Sequence, residues 1–128
     1  MLTGRILLVE DNKVNQLVAR NLLERRGHTV VTANNGLEAL AILDGAAWGG
    51  FDCAIMDIQM PEMDGLECVV IIRLRERLTG GHLPILALTS GGDEAQCLAA
   101  GMDGYLAKPV ESESLFELLE RHLGRQCE

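Results

Sequence analysis

Four short apolar runs in this chain stop on groups that can do chemistry. Ile6-Leu7-Leu8-Val9 ends on Glu10-Asp11, Ala54-Ile55-Met56 on Asp57, Ile85-Leu86-Ala87-Leu88 on Thr89, and Gly104-Tyr105-Leu106-Ala107 on Lys108-Pro109. Apolar runs of this length, bounded by turn residues, read as strands buried on both faces. A carboxylate at the last residue of such a strand points out of the core, at the rim where open α/β sheets bind ligands. Two carboxylates ~4 Å apart repel by about 4 kcal/mol at an effective dielectric near 20. Three together raise one another's pKa unless a cation intervenes. A hard divalent ion relieves this, and Mg²⁺ prefers one or two carboxylates with waters and phosphate oxygens. Lys108 adds a positive charge and Thr89 a hydroxyl. Such a crevice suits a dianionic phosphoryl group, with Asp57 as nucleophile.

These groups meet only if the strands are neighbours in the right order. Asn12 caps a helix after the first strand, whose inward face is predicted at Val14, Leu17, Val18 and Leu22, and Gly27 stops it. Thr29 to Ala33 forms a second, less apolar strand, and Asn34-Asn35-Gly36 turns into a helix with Leu37, Leu40 and Ala41 inward. A Gly-rich loop from Gly45 to Gly50, holding Trp48, leads to the strand that ends at Asp57. The third helix runs from about residue 64 or 65 to Leu78, burying Leu66, Val69, Val70 and Leu74. A short helix near 93–100 and a last one near 114–123 follow, the latter with Leu115, Leu118, Leu119 and Leu123 on one stripe.

Five alternations of strand and helix imply a parallel sheet covered on both faces, a doubly wound (βα)5 α/β fold. The second strand suits a sheet edge, which makes the strand order 2-1-3-4-5, the flavodoxin-like arrangement. Its crevice then opens between the strands that end in Glu10-Asp11 and Asp57.

Composition narrows the function classes. At 128 residues the chain has the size of one domain, 1–128, and it contains only four aromatic residues, so Leu, Ile, Val and Ala must fill the core. A formal net charge of -8 argues against a nucleic-acid surface. No apolar run approaches the ~20 residues of a membrane span, and no leader pattern precedes the first strand, so the expectation is a soluble, cytoplasmic protein. Cys53, Cys68, Cys97 and Cys127 lack metal or redox spacing and read as reduced small hydrophobes. The three histidines are scattered and take no role.

The segments Leu8-Val9-Glu10-Asp11-Asn12, Met56-Asp57-Ile58-Gln59-Met60-Pro61-Glu62-Met63-Asp64-Gly65, Ala87-Leu88-Thr89-Ser90 and Gly104-Tyr105-Leu106-Ala107-Lys108-Pro109 resemble the receiver domain of two-component response regulators. Asn12, Asn15 and Gln59-Met60-Pro61 give the flavour of receivers fused to hybrid sensor histidine kinases. The resemblance covers essentially the whole chain. It implies that Asp57 accepts a phosphoryl group from a phosphohistidine of a histidine kinase or phosphotransfer domain. Glu10, Asp11, Asp57 and the backbone carbonyl of Gln59 would arrange Mg²⁺. Lys108 would pair with the phosphoryl group, and Thr89, with Ser90 and Ile58 lining the cradle, would bind its oxygens. Thr89 and Tyr105 would switch the surface made by the fourth helix, fifth strand and fifth helix, and the Lys108-Pro109 bond would be cis. The domain would then catalyse only its own phosphotransfer and dephosphorylation, within or apart from a hybrid kinase.

Two rival functions are weaker. An aspartate-nucleophile phosphohydrolase needs a second acid two residues after the nucleophile, where this chain has Gln59, which cannot be a general acid. A phosphate-independent interaction module would be plausible only if the acids, Thr89 or Lys108 were missing. Two features depart from the family pattern. Gly91-Gly92 predicts a mobile loop and a late start to the fourth helix. Ile72, opposite the stripe of Leu66, Val70 and Leu74, predicts an exposed contact for a partner or a weak homodimer.

Overall fold

The computed structural model describes residues 3–45, 50–60, 63–92, 94–108 and 110–126. Five strands, β1 (Arg5–Val9), β2 (Thr29–Ala33), β3 (Cys53–Asp57), β4 (Ile85–Thr89) and β5 (Gly104–Ala107), alternate with five helices. The helices are α1 (Lys13–Arg25), α2 (Gly36–Gly45), α3 (Gly65–Thr79), α4 (Glu94–Ala100) and α5 (Ser112–Gln126). All strand pairs are parallel, in the order β2-β1-β3-β4-β5, as the sequence predicts. Among the described residues no helix is long and apolar enough to cross a membrane. Trp48, Asp93, Pro109 (and with it the geometry of the Lys108-Pro109 bond) and Cys127 lie outside the described residues.

The period of two along each strand divides the core. Leu7, Val9, Ala54, Met56, Ile85 and Ala87 face the layer formed by α2, α3 and α4. Ile6, Leu8, Cys53, Ile55, Leu86 and Leu88 face α1 and α5, where Leu115, Leu119 and Leu123 complete the predicted stripe. Cys53, Cys68 and Cys97 are buried and form no disulfide among the described residues, and burial pushes the Cys68 thiol up to about 12. They behave as small core hydrophobes.

Three helices are rotated from the faces their spacing predicts. In α1 the buried residues are Ala19 and Leu23, with Leu22 partly covered, whereas Val14, Leu17 and Val18 are half or more exposed. The cause lies at the start of the helix. The Asn12 side chain accepts from the amides of Val14 and Asn15, and the Gln16 amide group donates to the carbonyls of Glu10 (2.9 Å) and Ala33 (3.4 Å). Gln16, Ala19 and Leu23 therefore form the inward line. In α2 the inward residues are Gly36, Ala39, Leu40 and Leu43, while Leu37 and Ala41 are exposed. Gly36 sets this, because a Cβ there would lie 3.2 Å from Cys68 Cβ and 3.0 Å from the Met63 carbonyl oxygen.

In α3 the buried set is Gly65, Cys68, Val69, Ile72 and Glu76, and Val70 and Leu74 face solvent. Ile72 is fully buried, so the expectation of an exposed contact at that residue is corrected. The helix is held in this rotation from its inner side by Arg73 and Glu76. Arg73 pairs with Glu76 (2.8 Å) and Asp103 (2.7 Å) and donates to the carbonyls of Leu83 and Gly101. Glu76 in turn accepts from the Leu83 amide at 2.6 Å. Gly91 and Gly92 both have positive φ, and α4 is described from Glu94, with Asp93 outside the described residues.

Candidate phosphoryl-accepting site

The parallel register carries the polar strand ends to one rim. Val9 lies beside Met56, Asp57 beside Leu88, and Thr89 beside Ala107, so the residues that follow each strand become neighbours. The ladder continues one step further, with the Lys108 amide donating to the Thr89 carbonyl at 2.8 Å. Glu10, Asp57 and Thr89 are buried to 1%, 2% and 1% exposure, and Asp11 remains exposed at the mouth.

Lys108 Nζ stands 2.8 Å from Asp57 Oδ2 and 3.6 Å from Glu10 Oε2. Asp57 Oδ1 accepts from the Gln59 amide at 3.1 Å, and Glu10 Oε1 accepts from the Asn12 amide at 3.1 Å. Burial, helped by the nearby Asp57 charge and opposed by the Asn12 amide, pushes the Glu10 carboxyl up to about 7. Burial works to lower the Lys108 ammonium, but its bond to Asp57 and the charges of Asp57 and Glu10 outweigh this and raise it. The site holds more negative charge than one lysine offsets.

Carboxylate oxygens of Glu10, Asp11 and Asp57 lie within 4.8 Å of one another. Glu10 Oε2 is buried without a hydrogen-bond partner among the described residues. An all-oxygen donor set with one orphaned acceptor fits a hard divalent cation such as Mg²⁺.

The other predicted residues divide. Thr89 Oγ1 accepts from the Gly91 amide at 3.0 Å, at the edge of the same rim, with exposed Ser90 between them. Ile58 turns its side chain into the core and donates its amide to the Leu88 carbonyl. Tyr105 lies away from the acids, 43% exposed, beside a groove of about 430 Å³ shared with Leu98, Leu118 and Arg121.

Two residues that position the site escaped the sequence reading. Gln16 grips the Glu10 carbonyl, and its signal was a polar residue on the inward line of α1. Gly65 donates its amide to the Ile58 carbonyl at 3.0 Å and leaves no room for a Cβ. In the sequence it marked only the start of the third helix and the end of the segment that resembles receivers.

Residues 6–120 match the family described as the response regulator receiver domain. The chain belongs to that family. As a receiver domain of two-component systems, it is 40% identical to histidine kinase 3 of Arabidopsis thaliana over 94% of its length. It is 35% identical to hybrid signal transduction histidine kinase I of Dictyostelium discoideum over its whole length. The receiver spans only 14% and 8% of those two proteins.

Solved structures agree in fold. One is a co-crystal of the Saccharomyces cerevisiae histidine phosphotransfer signaling protein Ypd1 with the receiver domain of its downstream response regulator Ssk1. It superposes with a TM-score of 0.91 at 29% identity, covering 98% of this receiver and 92% of that chain. The receiver domain of a sensor histidine kinase from Pseudomonas aeruginosa, with magnesium coordinated in its active-site cleft, gives 0.82 at 38% identity, covering 95% and 98%.

Proposed function

We propose that Asp57 takes a phosphoryl group from a phosphohistidine of a histidine kinase or histidine phosphotransfer domain, in a Mg²⁺-dependent reaction. The observation that carries this is one buried aspartate at a strand end, with two further acids within 4.8 Å and a lysine at 2.8 Å. An Asp57 carboxylate oxygen attacks phosphorus and the P–N bond breaks. The imidazole nitrogen keeps the bonding electron pair, and the aspartyl-phosphate forms.

Glu10, Asp11 and Asp57, with the Gln59 carbonyl, would hold Mg²⁺. When bound, the ion offsets the negative charge that the carboxylates and the phosphoryl oxygens bring together. Lys108 then pairs with a phosphoryl oxygen in place of the free carboxylate, and the Thr89 hydroxyl donates to another. Thr89 and Tyr105 relay this change toward α4, β5 and α5. The 128 residues act as one receiver unit that catalyses only its own phosphorylation and hydrolysis.

The donor's approach is supported by α1. Val14, Leu17 and Val18 form an exposed apolar face, and Val18 lines a cavity of about 180 Å³ that reaches Glu10 and Lys108. A histidine-bearing helical surface seated there would bring its phosphoryl group to the rim. The yeast co-crystal of a receiver with a phosphotransfer protein is consistent with a partner of that kind.

Phosphoramidate, a small P–N donor, tests the chemistry with and without Mg²⁺. Wild type is expected to gain one base-labile phosphoryl group only with the ion, and Asp57→Asn none. Labelling that persists in Asp57→Asn, or that is insensitive to chelation, would overturn the assignment. The NMR companion is beryllofluoride with Mg²⁺, whose amide shifts should spread from Asp57, Thr89 and Lys108 to Tyr105.

A further inference from the structure

The rotation of α3 that buries Ile72 turns a second apolar line outward. Val70 is 45%, Leu74 52% and Leu78 89% exposed, at i, i+4 and i+8 along the solvent face. Helix α3 is the middle member of its layer, in contact with α2 and with α4. The outward line therefore runs along the centre of that face. It is bracketed by opposite charges: exposed Glu67 one turn before Val70 and exposed Arg77 one turn beyond Leu74. Among the described residues neither side chain is in an ion pair, whereas Arg75 nearby is held by Asp44 at 2.9 Å.

We propose that this face packs against the same face of a second copy of the chain, the two α3 helices antiparallel about a two-fold axis. With the axis at the height of Ile72, Val70 of each copy meets Leu74 of the other. In the same register Glu67 meets Arg77 twice. Both apolar and charged positions are matched by one register, which is the self-complementarity an isologous contact requires. A parallel arrangement would set Glu67 against Glu67 and Arg77 against Arg77, which repel. The occupant that matches Val70, Leu74 and both charges is another α3.

A few apolar side chains per copy bury far less than a standard interface, so the dimer is weak, with a dissociation constant on the order of 100 µM. Each copy carries a formal charge of -8, which opposes association. Salt near 0.15 M, where the screening length is ~8 Å, mutes that repulsion and leaves contact pairs largely intact.

Sedimentation velocity from ~10 µM to ~1 mM in such a buffer tests the proposal, with far-UV circular dichroism and phosphoramidate labelling as folding controls. Wild type is expected to shift from monomer toward dimer across the range, and Leu74→Glu to stay monomeric. Glu67→Arg places like charges at both ends and should weaken dimerisation about tenfold. The double variant Glu67→Arg with Arg77→Glu restores both pairs and should recover it, which a nonspecific apolar contact would not do. A wild type that remains monomeric at the highest concentration overturns the proposal. So does a dimer that survives Leu74→Glu, or a charge swap that fails to restore what Glu67→Arg loses.

Discussion

Gly65 and Asp57 are in backbone contact across the start of α3: a Cβ built on Gly65 would sit 2.5 Å from the Asp57 carbonyl oxygen and 2.8 Å from Ile58 Cα. Both obstacles are main chain, so neither can swing aside. The helix that carries Ile72 into the core is seated directly on the residue proposed to accept the phosphoryl group. Gly65→Ala is therefore expected to cost about 2 kcal/mol in urea unfolding, from forced displacement of packed backbone. It should also weaken Mg²⁺ binding, measured by NMR titration, because the displaced segment includes Asp57. Unchanged values in both would mean that the loop yields freely.

Lys108 occupies one Asp57 oxygen and stands near Glu10. Lys108→Ala removes a cation that competes with a divalent ion for the same carboxylates. Mg²⁺ affinity should hold or rise, while the beryllofluoride adduct is weakened at least tenfold for want of the ammonium partner. Parallel titrations separate the two effects. A variant that loses Mg²⁺ binding as well would assign Lys108 to holding the acids in place.

Arg73 ties α3 to the loops before β4 and before β5. Arg73→Met leaves Glu76 and Asp103 without their guanidinium, at a cost of about 3 kcal/mol in chemical denaturation. Adding Glu76→Gln should recover part of that loss, since a neutral amide is cheaper to leave buried than a carboxylate. A strictly additive double variant would argue that the pair is not coupled.

His28 is buried and its Nδ1 accepts from the Gly4 amide at 3.1 Å, which leaves the ring proton on Nε2. Burial, reinforced by the Arg26 charge, holds its pKa below the ordinary 6.5. The folded state thus binds fewer protons than the unfolded chain, so this contribution is present above pH 6.5 and is lost as pH falls below it. Glu10, raised from 4.5 to about 7, gives the opposite slope, with stability falling as pH rises through that interval. The quantity to read is the difference between wild type and His28→Asn, measured without Mg²⁺ from pH 7.5 to about 5. It should shrink toward acid.

Gly91 and Gly92 adopt φ of +115° and +85° in an exposed turn before α4. Hydrogen exchange is expected to find the Gly92 amide fast and α4 weakly protected, since seven residues make less than two turns. Strong protection across this segment would contradict that expectation.

Much of the site is legible in the sequence, because each strand's apolar run is short and its end is marked by a change of residue type. Glu10-Asp11, Asp57, Thr89 and Lys108 stood out as the points where burial gives way to charge. The edge position of β2 and the order of the sheet followed from the same contrast. The resemblance to receivers then supplied roles that spacing cannot. Helix rotation was not legible. Helix α3 has two apolar lines, Cys68-Val69-Ile72 and Val70-Leu74-Leu78, and periodicity alone cannot say which one meets the sheet.

By itself, then, the sequence determined the α/β alternation and the four strand ends that build the rim, since these depend on local contrasts in polarity. Tertiary structure alone decided which faces of α1, α2 and α3 are buried. The anchors that set those rotations join groups far apart in the chain: Gln16 to Ala33, Gly36 to Cys68 and Arg73 to Asp103. Their cost or benefit exists only once the chain has closed on itself.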